Sequence, residues 1–271
     1  MKKSRKIFIF ATRLGKKAID DDLFALSNEL AYKILLSFFP FMVFLVSLLG
    51  FLDLQDSDAI MRFFENLPQD IAATLNNFIT ELQARPSAGL LSASLIVAMY
   101  SASNGFRAII RGVNKAHGYA DKRSFIKKTA LCAALMLIFT FSVIIMLGLW
   151  IFSDAILSTL APYLSKSVNI AIRITSAVIA LGILIASISW IYWLACAQHN
   201  KVKILPGACT TVILWAVSSE VFALFISNFS NISVIYGSIA GVFILIIWLN
   251  LISFFLLLGN SVNALLGIKS V

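Results

Sequence analysis

Residues 129–152, TALCAALMLIFTFSVIIMLGLWIF, contain no Asp, Glu, Lys or Arg. A run of this length exceeds the ~20 apolar residues that cross ~30 Å of hydrocarbon at 1.5 Å per residue. Residues 34–52, 88–106 and 174–197 are equally free of charge, and residues 205–227 are interrupted only by Glu220. From Val221 to Val271 the only charge is Lys269. The 271 residues are 60% hydrophobic and 13% charged, about half the ~25% charge of a soluble domain. Mean hydropathy is +0.92. The pattern predicts an all-α polytopic membrane protein, one transmembrane domain over residues 1–271 with a bundle of six transmembrane helices. A β-barrel would show alternating segments of ~10 residues instead.

The net charge of +9 is unevenly placed. Lys2, Lys3, Arg5, Lys6, Arg13, Lys16 and Lys17 precede the first span. Arg107, Arg111, Lys115, Lys122, Arg123, Lys127 and Lys128 lie between the second and third. Lys201, Lys203 and Lys269 fall on the same side, against only Arg62, Arg85, Lys166 and Arg173 on the other. The positive-inside rule therefore predicts both termini in the cytoplasm. Cations flanking spans act as topology determinants and touch anionic headgroups. No aromatic residues are interleaved among them as stacking platforms, so lipid is the expected partner and nucleic acid is not.

Residues 1–22 read as a basic amphipathic segment on the inner leaflet, with Asp20, Asp21 and Asp22 as an acidic start to the next helix. Pro40 predicts a kink in the first span. Residues 53–86 carry Ile60, Phe63, Phe64, Leu67, Ile71, Leu75 and Phe78 at three- and four-residue steps, broken by Pro68. They predict two short amphipathic helices on the outer surface. The second span is expected to continue inward through RAIIRGVNKAHG, with Gly112 or Gly118 ending it. IFIF at residues 7–10 is too short for a signal-peptide core, so no cleaved leader is expected. Cys132, Cys196 and Cys209 lack CxxC spacing and read as small packing residues.

Few side chains carry chemistry. Glu29 and Lys33 stand one turn apart where the first charge-free run begins. They are either a solvated helix end or part of a polar site. Asn104, Arg107 and Arg111 reach the same depth on one face of the second span. Three cations and one carboxylate in one place would suit a phosphate or another anionic headgroup, Arg by bidentate bonds and Lys as a point charge. Glu220, flanked by Ser218 and Ser219, is the clearest intramembrane charge, and Arg173 is its expected partner. Tyr236, Asn250, Ser253, Asn260 and Asn263 add polar groups around and within the sixth span, as interhelical hydrogen-bond glue or as substrate contacts. His117 and His199 are not spaced as a metal pair. No Walker loop, GxSxG or HExxH occurs, so no catalytic residue, metal or cofactor is assigned.

Three segments together carry a resemblance: LAYKILLSFFPFMVFLVSLLG at 30–50, SASNGFRAIIRGVNKAHGYADKRSFIKK at 101–128, and the run from LPGACTT to GNSVNA at 205–264. Over residues 25–266 the chain resembles the YihY/BrkB family, formerly called ribonuclease BN-like. That family's closing pattern, G-A-E-x-N-A, is matched at Gly259, Asn263 and Ala264, with Ser261 in place of the acid. The resemblance implies a six-span bacterial plasma-membrane protein linked to envelope properties and to lipid or solute export. The leading expectation is a transporter-like protein moving an amphipathic anionic molecule such as a lipid. An envelope protein without translocation and a membrane-bound ribonuclease are the alternatives.

Overall fold

The computed structural model describes residues 2–51, 88–160, 165–198, 203–228 and 238–267. These form α1 (Lys2–Asp20), α2 (Leu23–Phe51), α3 (Ala88–His117), α4 (Phe125–Leu160), α5 (Lys166–Ala195), α6 (Leu205–Asn228) and α7 (Ser238–Gly267). No strand occurs among the described residues. Among the described residues, four helices are long and apolar enough to cross a membrane, over Phe125–Val143, Ser167–Ala195, Leu205–Phe225 and Phe243–Gly267. The first two expected spans lie in α2 and α3. The expected outer helices at 53–86 and Tyr236 fall outside the described residues.

Helix boundaries follow local chemistry. α1 ends in a two-residue turn, with Asp21 N–H donating to Lys17 O at 2.9 Å and Asp22 N–H to Ile19 O at 3.0 Å. Asp22 has φ 52°, a left-handed conformation that Asp tolerates better than most residues. Its carbonyl then accepts the first bond of α2, from Leu26 N–H at 3.0 Å. α2 continues as helix through Pro40. α3 extends as far as expected, to His117, and stops at Gly118, whose φ of 68° suits a residue without Cβ. Tyr119 N–H reaches back to Asn114 O at 2.9 Å, the six-to-one bond of a Schellman stop. Gly112, the other candidate break, lies inside the helix, where Leu257 occupies the space a Cβ would need.

Burial is concentrated at one end of the bundle. Leu30, Val113, Leu135, Ile188, Tyr192 and Leu256 form its centre, where α2, α4 and α6 begin and α3, α5 and α7 end. Farther along the same helices Ile96, Tyr100, Ile174, Val178, Val217, Val221 and Phe243 are exposed. In water that apolar surface would cost roughly 25 cal/mol per Å²; against lipid tails it costs almost nothing. Each helix can therefore be apolar all round in its outer reaches. α2 packs on α3 and α7, α7 on α6, and α4 on α5.

Candidate functional site

Glu29 on α2 gathers two cations. Lys33 Nζ, one turn on, lies 2.5 Å from Glu29 Oε1, and Arg111 of α3 donates to the same oxygen. The sequence brought Glu29 and Lys33 together by helical spacing; the antiparallel packing of α2 on α3 adds Arg111. Burial raises the Glu29 carboxyl, but Lys33 and Arg111 outweigh it and hold its pKa below the ordinary value. One carboxylate between two cations leaves a net positive cluster, and the Arg111 side chain is 56% exposed. A further pair, Lys115 Nζ to Asp22 Oδ2 at 2.8 Å, ties the same two helices nearer the α1 end.

Arg107 does not join this cluster. One turn before Arg111 and about 40° round the helix, it faces α4 instead. Its Nη2 donates to Thr129 Oγ1 at 2.9 Å, and its guanidinium lies 4.7 Å from the Phe125 ring centroid, a cation–π distance. Asn104, two turns before Arg111, is half-buried on α3. The expected five-residue site is therefore a compact triad, Glu29, Lys33 and Arg111, with Arg107 directed elsewhere.

The polar residues of α7 are mostly interhelical ties. Asn263 Oδ1 accepts from Gly207 N–H at 2.6 Å, and its Nδ2 donates to Ile204 O at 3.0 Å. It thereby satisfies the Gly207 N–H, one of the donors left free at the start of α6, and ties α7 to the residue before that helix. Asn260 Nδ2 donates to Val113 O on α3 at 3.3 Å. Asn250 donates to Asn28 Oδ1 on α2, one turn from the Phe24–Phe254 stack at 4.8 Å. Ser261, in the place of the resembling family's acid, is fully buried and donates within its own helix, to Leu257 O at 3.2 Å. Ser253 Oγ and Asn260 Oδ1 are buried without a hydrogen-bond partner among the described residues.

The expected Glu220–Arg173 ion pair is not formed. Both side chains are exposed, and no salt bridge joins them among the described residues. Tyr192 on α5 and Thr211 on α6 set the relative height of these helices through a 2.7 Å contact. From there Arg173 is about 28 Å up α5 and Glu220 only about 14 Å up α6 at 1.5 Å per residue. The offset is too large for a salt bridge.

Several organising residues carried no sequence signal. Tyr192 sits in an aromatic run, yet its buried hydroxyl donates to Leu256 O at 2.5 Å and contacts Thr211, joining α5, α6 and α7. Asn114 donates to Ala195 O at 2.9 Å and accepts from Ala197 N–H at 2.7 Å. Arg123 donates to Ala195 O at 3.2 Å and Cys196 O at 2.6 Å. Together they close the C-terminus of α5, where a cation meets the negative end of the helix. Arg123 looked like one topology charge among seven. His117 lies beside Asn260 near Lys17 and Asp21; burial, the largest influence, pulls its pKa below the ordinary value. No group of three His, Cys, Asp or Glu suited to a metal occurs among the described residues.

Residues 14–270 match the Virulence factor BrkB family. The chain belongs to this family. A relative named ribonuclease-like, YfkH of Bacillus subtilis, is 31% identical over 89% of this chain and 88% of its own length. A UPF0761 membrane protein of Photobacterium profundum is 26% identical over 97% of this chain and 82% of its own. A UPF0761 membrane protein of Vibrio parahaemolyticus is 41% identical over 22% of this chain and 19% of its own. No solved structure matches the chain. With its four membrane-length helices, the chain is a multi-pass membrane protein of the BrkB family.

Proposed function

We propose that this protein is a transporter-like component of the bacterial plasma membrane that moves an amphipathic anionic molecule, with a lipid as the leading substrate class. In this reading the bundle has six spans, both termini are cytoplasmic, and the tightly packed end faces inward. The observation that carries it is the Glu29–Lys33–Arg111 triad. It is built from two helices, has an excess of one positive charge, and stands at the depth where the charge-free runs begin. A half-exposed guanidinium fixed by a carboxylate is oriented to take a phosphate by its remaining donors. Glu29 orients the two cations, while the apolar outer reaches of the helices give acyl chains a surface without polar cost. The sequence holds no ATP-binding motif, so the reading places translocation among downhill, ion-coupled or scrambling processes.

The test is reconstitution into liposomes containing labelled phosphatidylglycerol or phosphatidylcholine. Lys33→Ala and Arg111→Ala each remove a charge-assisted contact, worth about 1.5–3 kcal/mol, and should weaken anionic-lipid binding or movement roughly ten- to hundredfold. Membrane insertion should be unchanged. Arg107→Ala, whose guanidinium is engaged with α4, should have the smaller effect. Full activity in both triad variants would reduce the triad to a helix-end ion pair. Absence of lipid movement in the unsubstituted protein would favour the envelope-protein reading.

A further inference from the structure

We propose that α1 is a docking element for an anionic lipid surface, carried at a fixed attitude by the bundle. The proposal is independent of the transport reading, since none of its residues belongs to the triad. α1 presents three faces. The first meets the bundle: Ala18 is buried with Leu23 and Leu257, and Leu14 and Phe10, four and eight residues earlier on the same face, are half-buried. The second is a free stripe, Phe8, Thr12, Gly15 and Ile19, all exposed, with Phe8 at 69% and Ile19 at 70%. Thr12 spends its hydroxyl inside the helix, donating toward Phe8 O at 3.1 Å and Ile9 O at 2.9 Å. Its methyl thus completes an apolar strip three turns long. The third face carries exposed Arg5, Arg13 and Lys16 beside that strip.

Charge and attachment select the occupant. Seven cations oppose the single acid Asp20 within α1, so the partner surface is negative. A two-residue turn and the buried contact of Ala18 with Leu23 and Leu257 hold α1 against the start of α2, the helix expected to enter the bilayer. An apolar strip flanked by cations, tethered at that position, has an anionic bilayer surface within reach. There Phe8 and Ile19 sink to the acyl boundary while the basic face meets the headgroups.

The experiment uses the full chain in nanodiscs of phosphatidylcholine alone or with roughly a third phosphatidylglycerol. Spin labels are placed singly at Phe8→Cys, Ile19→Cys and Arg13→Cys in a Cys209→Ser background; Cys132 and Cys196 are fully buried. In the anionic discs, labels at positions 8 and 19 should be severalfold more accessible to oxygen than to a water-soluble nickel reagent. Position 13 should show the reverse. The contrast should shrink in phosphatidylcholine alone and in an Arg5→Glu, Arg13→Glu, Lys16→Glu variant labelled at position 8. Equal water access at all three positions in both lipids would overturn the proposal. So would a contrast indifferent to lipid charge, or labels shielded from both reagents, which would indicate a protein partner.

Discussion

Gly259→Ala probes a close contact between α6 and α7. A Cβ at Gly259 would lie 2.6 Å from Gly207 O and 3.1 Å from Tyr192 OH, and would overlap Thr211 Oγ1. Thr211 could turn aside, but Gly207 O is backbone and no rotamer change relieves it; α6 must move away from α7. That movement loosens the Tyr192–Thr211 contact, now 2.7 Å, and the Gly207–Asn263 bond, now 2.6 Å. Overpacking costs about 1–3 kcal/mol, and one weakened interhelical hydrogen bond adds about 0.6–1.5 kcal/mol. The expected loss is about 2–4 kcal/mol, or roughly 5–15 °C in thermal midpoint for a chain of this size. Gly182→Ala and Gly241→Ala are the controls, because a Cβ at either meets nothing within 4 Å. Both should hold or slightly raise the midpoint, since Ala is the better helix former by about 1 kcal/mol. The assay is thermal unfolding of detergent-purified protein, with SDS-titrated unfolding as the equilibrium check. A Gly259→Ala midpoint within about 1 °C of Gly241→Ala would refute the reasoning, because the substituted site would then relax without moving α6.

Cysteine labelling of intact cells should reach positions 57 and 165 and spare 4 and 124; the reverse pattern would overturn the inward placement of the termini. His117 gives a pH dependence of definite sign. Its folded pKa lies below the ordinary 6.5, so the unfolded chain binds protons first, and stability present above 6.5 is lost as pH falls through the folded value. The thermal midpoint should fall between about pH 7.5 and pH 5.5, and His117→Gln should flatten that slope; an unchanged slope would assign it to another group. Purified protein should leave RNA intact in the presence of divalent metal. Cleavage abolished by His117→Gln or Asp121→Asn would promote the hydrolase alternative.

The Glu29 neighbourhood shows how far sequence spacing carries. Glu29 and Lys33 are four residues apart on one helix, and that spacing alone brings them together. Arg107 and Arg111 looked equivalent by the same rule, yet Arg111 meets Glu29 and Arg107 meets Thr129 and Phe125. Which neighbour each face of α3 receives depends on where α2 and α4 pack, and periodicity within α3 holds no information about that. Glu220 and Arg173 failed as a pair for a related reason. Distance from a span's end was read from sequence, but the relative height of α5 and α6 is set by the Tyr192–Thr211 contact.

The sequence by itself determined the class of the molecule: charge-free runs long enough for a bilayer, a lopsided distribution of Lys and Arg, and the motifs that place it in the BrkB family. Those properties follow from local composition and from the solvent, because a lipid-exposed helix must be apolar along its length and satisfy its own backbone. Tertiary structure decided which polar residues act together. Asn114 and Arg123 became caps of α5, Tyr192 became the tie among three helices, and Asn260 and Asn263 became bridges from α7. In each case the partner is a backbone group on a distant helix, and every residue type offers the same carbonyl and nearly every one the same N–H. No residue letter marks such a partner, so only the packed bundle selects it.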